Sequence, residues 1–201
     1  MNKEVIENIL IRTLTVLFLF GTVIFSSMSL RSDASTPTYS YKWKQSAITV
    51  YLYDAYGNST IKSAVSAGLK KWNSTDAPTV KVITNTYLDG TYNISAFIDT
   101  YGNTSWDART NTKYSNTTNY VKGSAIHVNV SNLKKYKSVS GLWTAISCHE
   151  MGHSLGLKHN VLVADKSIMK KYTIEYYDYK DGSIKLTGPT SIDKTAINKK
   201  Y

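Results

Sequence analysis

Residues His149–His159 read HEMGHSLGLKH, and this stretch decides both the fold and the chemistry that we predict for the chain. An α-helix turns about 100° per residue, so His149 and His153 lie about 40° apart on one face of a helix. Two imidazoles spaced one turn apart can therefore bind a single zinc ion. Glu150 lies beside them, too far around the helix to bind the metal but able to reach water next to it.

Gly156 follows the second histidine by three residues, where a left-handed residue can end the helix. The chain can then turn back and bring His159 to the same metal. Only four histidines occur in 201 residues, and three of them lie in this stretch. Three protein ligands leave one coordination position open, which is typical of catalytic zinc sites, because structural sites are usually closed by four ligands. We therefore predict one catalytic zinc ion bound by His149, His153 and His159.

This spacing resembles the motif of the metzincin metallopeptidases, and it is most similar to the matrixin branch, the matrix-metalloproteinase type. Metzincins carry a methionine turn beneath the metal, and Ser167-Ile168-Met169 lies where that turn would fall. Residues Gly141–Cys148 resemble the apolar first half of the matrixin active-site helix. The C-terminal segment Pro189–Tyr201 is similar to the closing helix of that family. The resemblance spans Tyr39–Tyr201.

The resemblance implies an α+β catalytic domain. Its parts would be a mixed, mostly parallel twisted sheet of about five strands, an active-site helix, a Met-turn and a C-terminal helix. It further implies a zinc-dependent endopeptidase in which Glu150 is the general base that takes a proton from zinc-activated water. Substrate would extend along an edge strand at Ala125–Val130, which includes Ile126. Met169 and Tyr172 would lie at the floor and the wall of the adjacent pocket.

Two departures from the matrixin pattern concern metals. Matrixins often bind a second, structural zinc through several histidines, one of them on a strand similar to Ala125–Val128, but His127 has no histidine partners left here. We therefore predict a single zinc ion. The segment Tyr101–Asn119 resembles a loop that holds Ca²⁺ in related enzymes, but Asp99 and Asp107 are too few acidic residues to support a calcium site.

Two other interpretations of the motif stay open on the residues alone. Glu175, the only glutamate after Glu150, could replace His159 as the third ligand, although Gly156 would then be unexplained. A secreted cell-surface binding module could also keep a zinc site for stability, although such a module has no need of a base at position 150.

The N-terminal segment has the pattern of a targeting sequence. Basic residues flank an apolar run at residues 13–25, and small residues with a cleavage site at Ser32-Asp33-Ala34 follow. We predict that residues 1–34 are a signal peptide, the alternative being an uncleaved membrane anchor. Residues 35–201 would form the zinc metallopeptidase domain, which is long enough to build a hydrophobic core.

Composition limits the partners and the location. The chain has 24 basic and 14 acidic side chains, a formal net charge of +10, and residues 1–34 contain three of each sign, so the predicted domain keeps that charge. A basic surface favours retention on an anionic surface such as a cell wall. The lysines are scattered and form no recognition motif, so we expect no nucleic-acid binding. A single cysteine excludes an intramolecular disulfide. We expect a secreted, monomeric bacterial protein that acts on peptides or proteins.

Residue periodicity predicts the remaining elements of an α+β fold. Strands are expected at Ile48–Tyr53, Thr79–Thr84, Ile94–Asp99 and Ser124–Val130, and helices at Ser59–Trp72 and Ser140–Leu155. The Asn- and Thr-rich segment Tyr101–Asn119 is expected to be a loop.

Overall fold

The computed structural model describes residues 35–84, 92–136, 139–162, 164–175 and 182–201. The predicted signal peptide or membrane anchor, residues 1–34, lies outside the described residues. In the described part of the chain, no helix combines the length and the apolar character needed to span a membrane. Residues Ser35–Tyr201 form one compact unit.

One five-stranded sheet forms the centre of this unit. Its strands are β1 (Ala47–Asp54), β2 (Thr79–Ile83), β3 (Ile94–Asp99), β4 (Ala108–Tyr114) and β5 (Val121–Asn129). The order across the sheet is β2-β1-β3-β5-β4. All neighbouring strands pair in parallel except β4, which is antiparallel to β5. This mixed, mostly parallel sheet confirms the predicted α+β fold.

The helices of the described residues lie between and after the strands. They are α1 (Ser59–Leu69), α2 (Val130–Leu133), α3 (Val139–Ser154) and α4 (Ser191–Lys200), with short 3₁₀ turns at Lys70–Ser74 and Thr173–Glu175. α1 begins after Asn58, whose side-chain oxygen accepts a hydrogen bond from the backbone N–H of Ile61 at 3.0 Å. The predicted active-site helix and closing helix are therefore both present.

α3 packs closely against α1, and this contact fixes its position on the sheet. A Cβ added at Gly68 of α1 would lie 2.3 Å from the carbonyl oxygen of Thr144, so no larger residue fits at the crossing. The indole N–H of Trp72, just after α1, donates to the carbonyl of Cys148 at 2.9 Å. Both residues are buried, so the face of α3 that carries Cys148 lies in the core.

The prediction of a loop throughout Tyr101–Asn119 is wrong, because β4 occupies its middle. Side chains alternate along β4 as in other strands, with Arg109 exposed and Thr110 half-buried. Neither face of the strand is strongly apolar, so the alternation of hydropathy that marks a half-buried strand is weak. Pairing with β5, and not residue propensity, makes this segment a strand.

The position of β4 also corrects the predicted substrate strand. Ala125–Val130 overlaps β5, which lies between β3 and β4 and is therefore not an edge. Ile126 pairs with neighbours on both sides and is 0% exposed, so it belongs to the core and cannot line a substrate cleft. The sheet edge beside α3 is β4.

Candidate metal centre

α3 and the turn after it bring the three predicted ligands together. His149 and His153 lie one turn apart on α3, and the chain then reverses at Gly156, where φ is +96°. A Cβ added at that glycine would lie 2.7 Å from the carbonyl oxygen of Tyr41, so both the backbone conformation and the available space require glycine. The reversal places His159 beside the two helical histidines, as predicted.

The ring nitrogens of these histidines have the spacing of a metal site. One nitrogen from each of His149, His153 and His159 lies within 4.8 Å of the others. The Nε2 atoms of His153 and His159 are 3.2 Å apart. Two nitrogens bound to one tetrahedral zinc at about 2.0–2.1 Å would be about 3.3–3.4 Å apart. The geometry of this pair therefore fits a zinc ion.

Backbone carbonyls orient two of the rings. Nδ1 of His149 lies 2.8 Å from the carbonyl oxygen of Ile168, and Nδ1 of His153 lies 2.8 Å from that of Leu157. A carbonyl oxygen only accepts, so Nδ1 carries the proton in both rings. The lone pair of Nε2 is then free to bind a metal, which is the arrangement usual around ligating histidines. No side-chain pattern in the sequence indicates that these two carbonyls orient the histidine rings.

Burial keeps the histidines in their neutral, metal-binding form. Desolvation lowers the pKa of His149 well below its ordinary value and that of His153 to about 4. It also lowers the pKa of His159, with the charge of Lys171 acting in the same direction. Neutral imidazole is the form that binds zinc, so at neutral pH no proton has to be displaced from the site.

Glu150 lies beside the three histidines and has a different environment from theirs. It is 6% exposed, and desolvation raises the pKa of its carboxyl to about 7, while a hydrogen bond from Thr110 acts in the opposite direction. The Oγ1 atom of Thr110 lies 2.6 Å from Oε2 of Glu150. A cation bound by the three histidines would favour the ionised, proton-accepting form of this carboxyl.

Met169 packs beneath α3, as the Met-turn resemblance implied. It is 0% exposed, and its Sδ atom would lie 2.4 Å from a Cβ added at Gly152. Trp72 would lie 2.9 Å from the same Cβ. Gly152 is therefore the point at which the methionine reaches the helix, one residue before His153. Besides the Met-turn resemblance, a glycine inside a helix was the sequence sign of this contact.

Asp193 of α4 holds the turn that carries Met169. Its carboxylate is fully buried and accepts hydrogen bonds from the hydroxyl of Ser167 at 2.5 Å and the backbone N–H of Ile168 at 2.9 Å. The carbonyl of Ile168 in turn accepts from His149. The closing helix is thus linked to the metal centre through the backbone of a single residue, Ile168, a role that was not predicted for Asp193 from the sequence.

A groove runs past the histidines along β4. One cavity of about 520 Å³ lies between β4 and the N-terminal segment of the domain, with Glu150, His153 and His159 in its lining. Its lining includes a column of three tyrosine rings, in which Tyr41 stacks on Tyr39 and on Tyr114 with centroids 5.0 Å apart in each pair.

A second cavity of about 510 Å³ continues the groove on the other side of the histidines. Its lining includes His149, Glu150, Trp106, Tyr136 and Tyr172. The exposed fraction of Tyr172 is 59%, so its ring is available to a bound molecule, and its role as a pocket wall stays a prediction. Both cavities contain Glu150, which places the carboxyl at the centre of the groove.

The structure also locates the residues of the other interpretations. Glu175 is exposed, its carboxylate accepts from the backbone N–H of Tyr172 at 2.9 Å, and it is not part of the histidine group. His127 alternates with the buried Ile126 and points to the opposite face of the sheet, where its Nδ1 lies 2.9 Å from the hydroxyl of Tyr101. Among the described residues, neither completes the cluster.

Comparison with known proteins identifies the fold. Myroilysin is similar, with a TM-score of 0.52 and 15% sequence identity, and the match covers 83% of this chain and 98% of that chain. This likeness shows the fold alone: the chain shares its α+β architecture with myroilysin over most of both chains. No protein-family model and no curated protein sequence matches the chain.

Two further solved structures match with TM-scores below 0.5, so no conclusion is drawn from them. High choriolytic enzyme 1, a hatching-enzyme zinc-protease from Oryzias latipes, gives a TM-score of 0.44 at 13% identity and covers 79% of this chain and 93% of its own. Archaemetzincin from Archaeoglobus fulgidus, complexed with malonate, gives 0.39 at 15% identity and covers 72% and 96%.

Proposed function

We propose that this protein is a zinc-dependent endopeptidase. The observation that carries the proposal is the group formed by His149, His153 and His159, with two rings oriented by backbone carbonyls and Glu150 buried beside them. When bound, zinc supplies Lewis-acid chemistry that acidifies water and polarises a peptide carbonyl. His149, His153 and His159, as neutral imidazoles, would hold the ion beside the groove.

Glu150 moves the proton in this mechanism. Oε2 is held by Thr110, while no described residue hydrogen-bonds Oε1. Oε1 accepts the proton of the attacking water and later returns it to the amine that leaves. Burial keeps competing bulk water away from the carboxyl, so its proton goes to the reacting groups.

Substrate binds along β4 as an additional antiparallel strand. β4 is an edge strand, so the backbone N–H and C=O groups on its outer side are not paired within the sheet. The groove follows this edge and passes Glu150, which supports an extended peptide as the substrate of the site. Tyr172 lines the cavity on one side of the scissile bond, and the tyrosine column lines the cavity on the other side.

The finer assignments rest on the sequence. The motif His149–His159 with Met169 supports the matrixin-like branch, and the targeting pattern of residues 1–34 supports secretion. The net charge of +10 supports retention on an anionic bacterial cell wall, with peptides or proteins as substrates. We further propose that the protein is a monomer with one zinc ion.

A cleavage assay with metal exchange tests the proposed function. Purified residues 35–201 are incubated with casein, an unfolded protein, near neutral pH. We expect cleavage within the chain, loss of cleavage after removal of zinc with a chelator, and recovery when one equivalent of zinc is restored. A zinc-loaded protein that cleaves neither casein nor any member of a broad peptide library would refute the proposal and favour a binding module with a structural zinc site.

A further inference from the structure

Among the described residues, Thr110 donates a hydrogen bond to the carboxylate of Glu150. Its hydroxyl has one proton and two acceptors in reach, Oε2 at 2.6 Å and the carbonyl oxygen of Glu150 at 2.9 Å. A hydroxyl bound to a carboxylate forms a short, charge-assisted hydrogen bond, so the contact with Oε2 is the stronger of the two. This contact joins β4, the proposed substrate strand, to the helix that carries the metal ligands.

The sheet register explains why this hydroxyl reaches the helix. Thr110 pairs with Ile126, whose side chain points into the core beneath α3, and paired residues on adjacent strands share one face. Thr112 lies on the same face two residues later, but its hydroxyl lies 3.1 Å from that of Ser124. The two threonines thus lie on the same strand and on the same face of the sheet, but their hydroxyls contact different partners.

We propose that Thr110 is a positioning residue for Glu150, an inference that rests on the proposed function. The hydroxyl fixes Oε2 and so turns Oε1 toward the groove, where the proton is accepted. It also ties the orientation of the carboxylate to β4, so that the strand that holds the substrate and the group that moves the proton keep a constant separation. Thr110 itself takes no part in proton transfer.

Substitutions at position 110 test this role through the split between kcat and KM. Thr110→Val removes the hydroxyl with little change in shape, and Thr110→Ser keeps it. A small displacement of a catalytic group lowers the rate steeply, so we expect Thr110→Val to lower kcat about tenfold with KM within about twofold of wild type. Thr110→Ser should restore most of kcat. Zinc content should equal that of wild type in both variants.

A binding measurement provides a readout that needs no turnover. Acetohydroxamate is a small metal chelator that can also hydrogen-bond to a neighbouring carboxylate, and its affinity for the zinc-loaded protein is measured by calorimetry. We expect Thr110→Val to weaken this affinity about 3–10-fold, the value of one oriented hydrogen bond. In a Glu150→Gln background the same substitution should have little further effect, because both residues act through one group. Thr112→Val serves as the control, and its effect should be independent of Glu150.

Three results would overturn the positioning role. The first is a kcat of Thr110→Val equal to that of wild type. The second is a loss of kcat in Thr110→Ser as large as in Thr110→Val. The third is a loss of acetohydroxamate affinity in Thr110→Val that is the same with glutamate or glutamine at position 150. A wild type that cleaves no peptide would instead refute the proposed function, and the positioning role with it. A cleaving wild type with an unaffected Thr110→Val refutes the positioning role alone.

Discussion

At the scale of single residues, Gly152 and Met169 determine how closely the metal centre is packed. The spacing of His149, His153 and His159 could be read from the sequence because all three lie within eleven residues. The family resemblance also indicated Met169, but Thr110 and Asp193 could not be predicted, because they meet the motif only through the tertiary fold. The three histidines could therefore be predicted from local spacing. The residues that pack against them and orient them are brought there by the tertiary fold.

Gly152→Ala should destabilise the zinc-loaded protein. Alanine gains about 1 kcal/mol of helix propensity over glycine, but the new Cβ would lie 2.4 Å from Met169 and 2.9 Å from Trp72, both buried. Overpacking of a core costs about 1–3 kcal/mol, and because two buried side chains would have to move here we expect the upper end of that range, a net loss of about 2 kcal/mol in urea unfolding. Gly188→Ala is the control, since its nearest neighbour is 3.5 Å away. Equal stability of the two variants would contradict the close packing.

At the scale of elements, the fold was predicted where apolar periodicity marks a strand or helix. β1, β3 and α3 lie within one residue of their predicted bounds. β4 was missed because its residues are polar on both faces, and this error displaced the predicted substrate strand to β5. An edge strand that lines a groove needs few apolar residues, so β4, the proposed substrate strand, has a weak hydropathy pattern.

Asp193→Asn should weaken the link between α4 and the Met-turn. The carboxylate accepts from Ser167 and Ile168, and asparagine replaces one acceptor oxygen with a donor that cannot satisfy these groups. We expect the free energy of unfolding to fall by about 2–4 kcal/mol, because hydrogen bonds to buried charged groups are stronger than average. Asp76→Asn, at an exposed position, should change stability little. Similar urea midpoints for both variants would contradict the proposed link.

At the scale of the whole molecule, the proposed zinc ion would join α3 to the turn that follows it. Zinc would bind the folded chain, in which His149, His153 and His159 converge, far better than the unfolded chain, in which they do not. Binding therefore stabilises the fold. With free zinc at about 1,000 times Kd the gain is about 4 kcal/mol.

Removal of zinc should lower the melting temperature of residues 35–201 by about 8–16 °C, since 1 kcal/mol corresponds to about 2–4 °C in a domain of this size. Differential scanning calorimetry with and without zinc measures this difference. His159→Ala should lose most of the zinc-dependent shift. His127→Ala should keep it, because that histidine points to the opposite face of the sheet. A shift of full size in His159→Ala would show that His159 is not a ligand.

The most direct test of the account compares the turnover of wild type and Glu150→Gln at equal zinc content. Glutamine keeps the size and polarity of the side chain but cannot accept the proton, and the three histidines are untouched. General-base catalysis is worth about 10²–10⁴-fold in rate, so we expect kcat for a cleaved peptide to fall by that factor while zinc content and melting temperature stay near those of wild type. A variant that cleaves as fast as wild type would contradict the assignment of Glu150 as the base and the mechanism built on it.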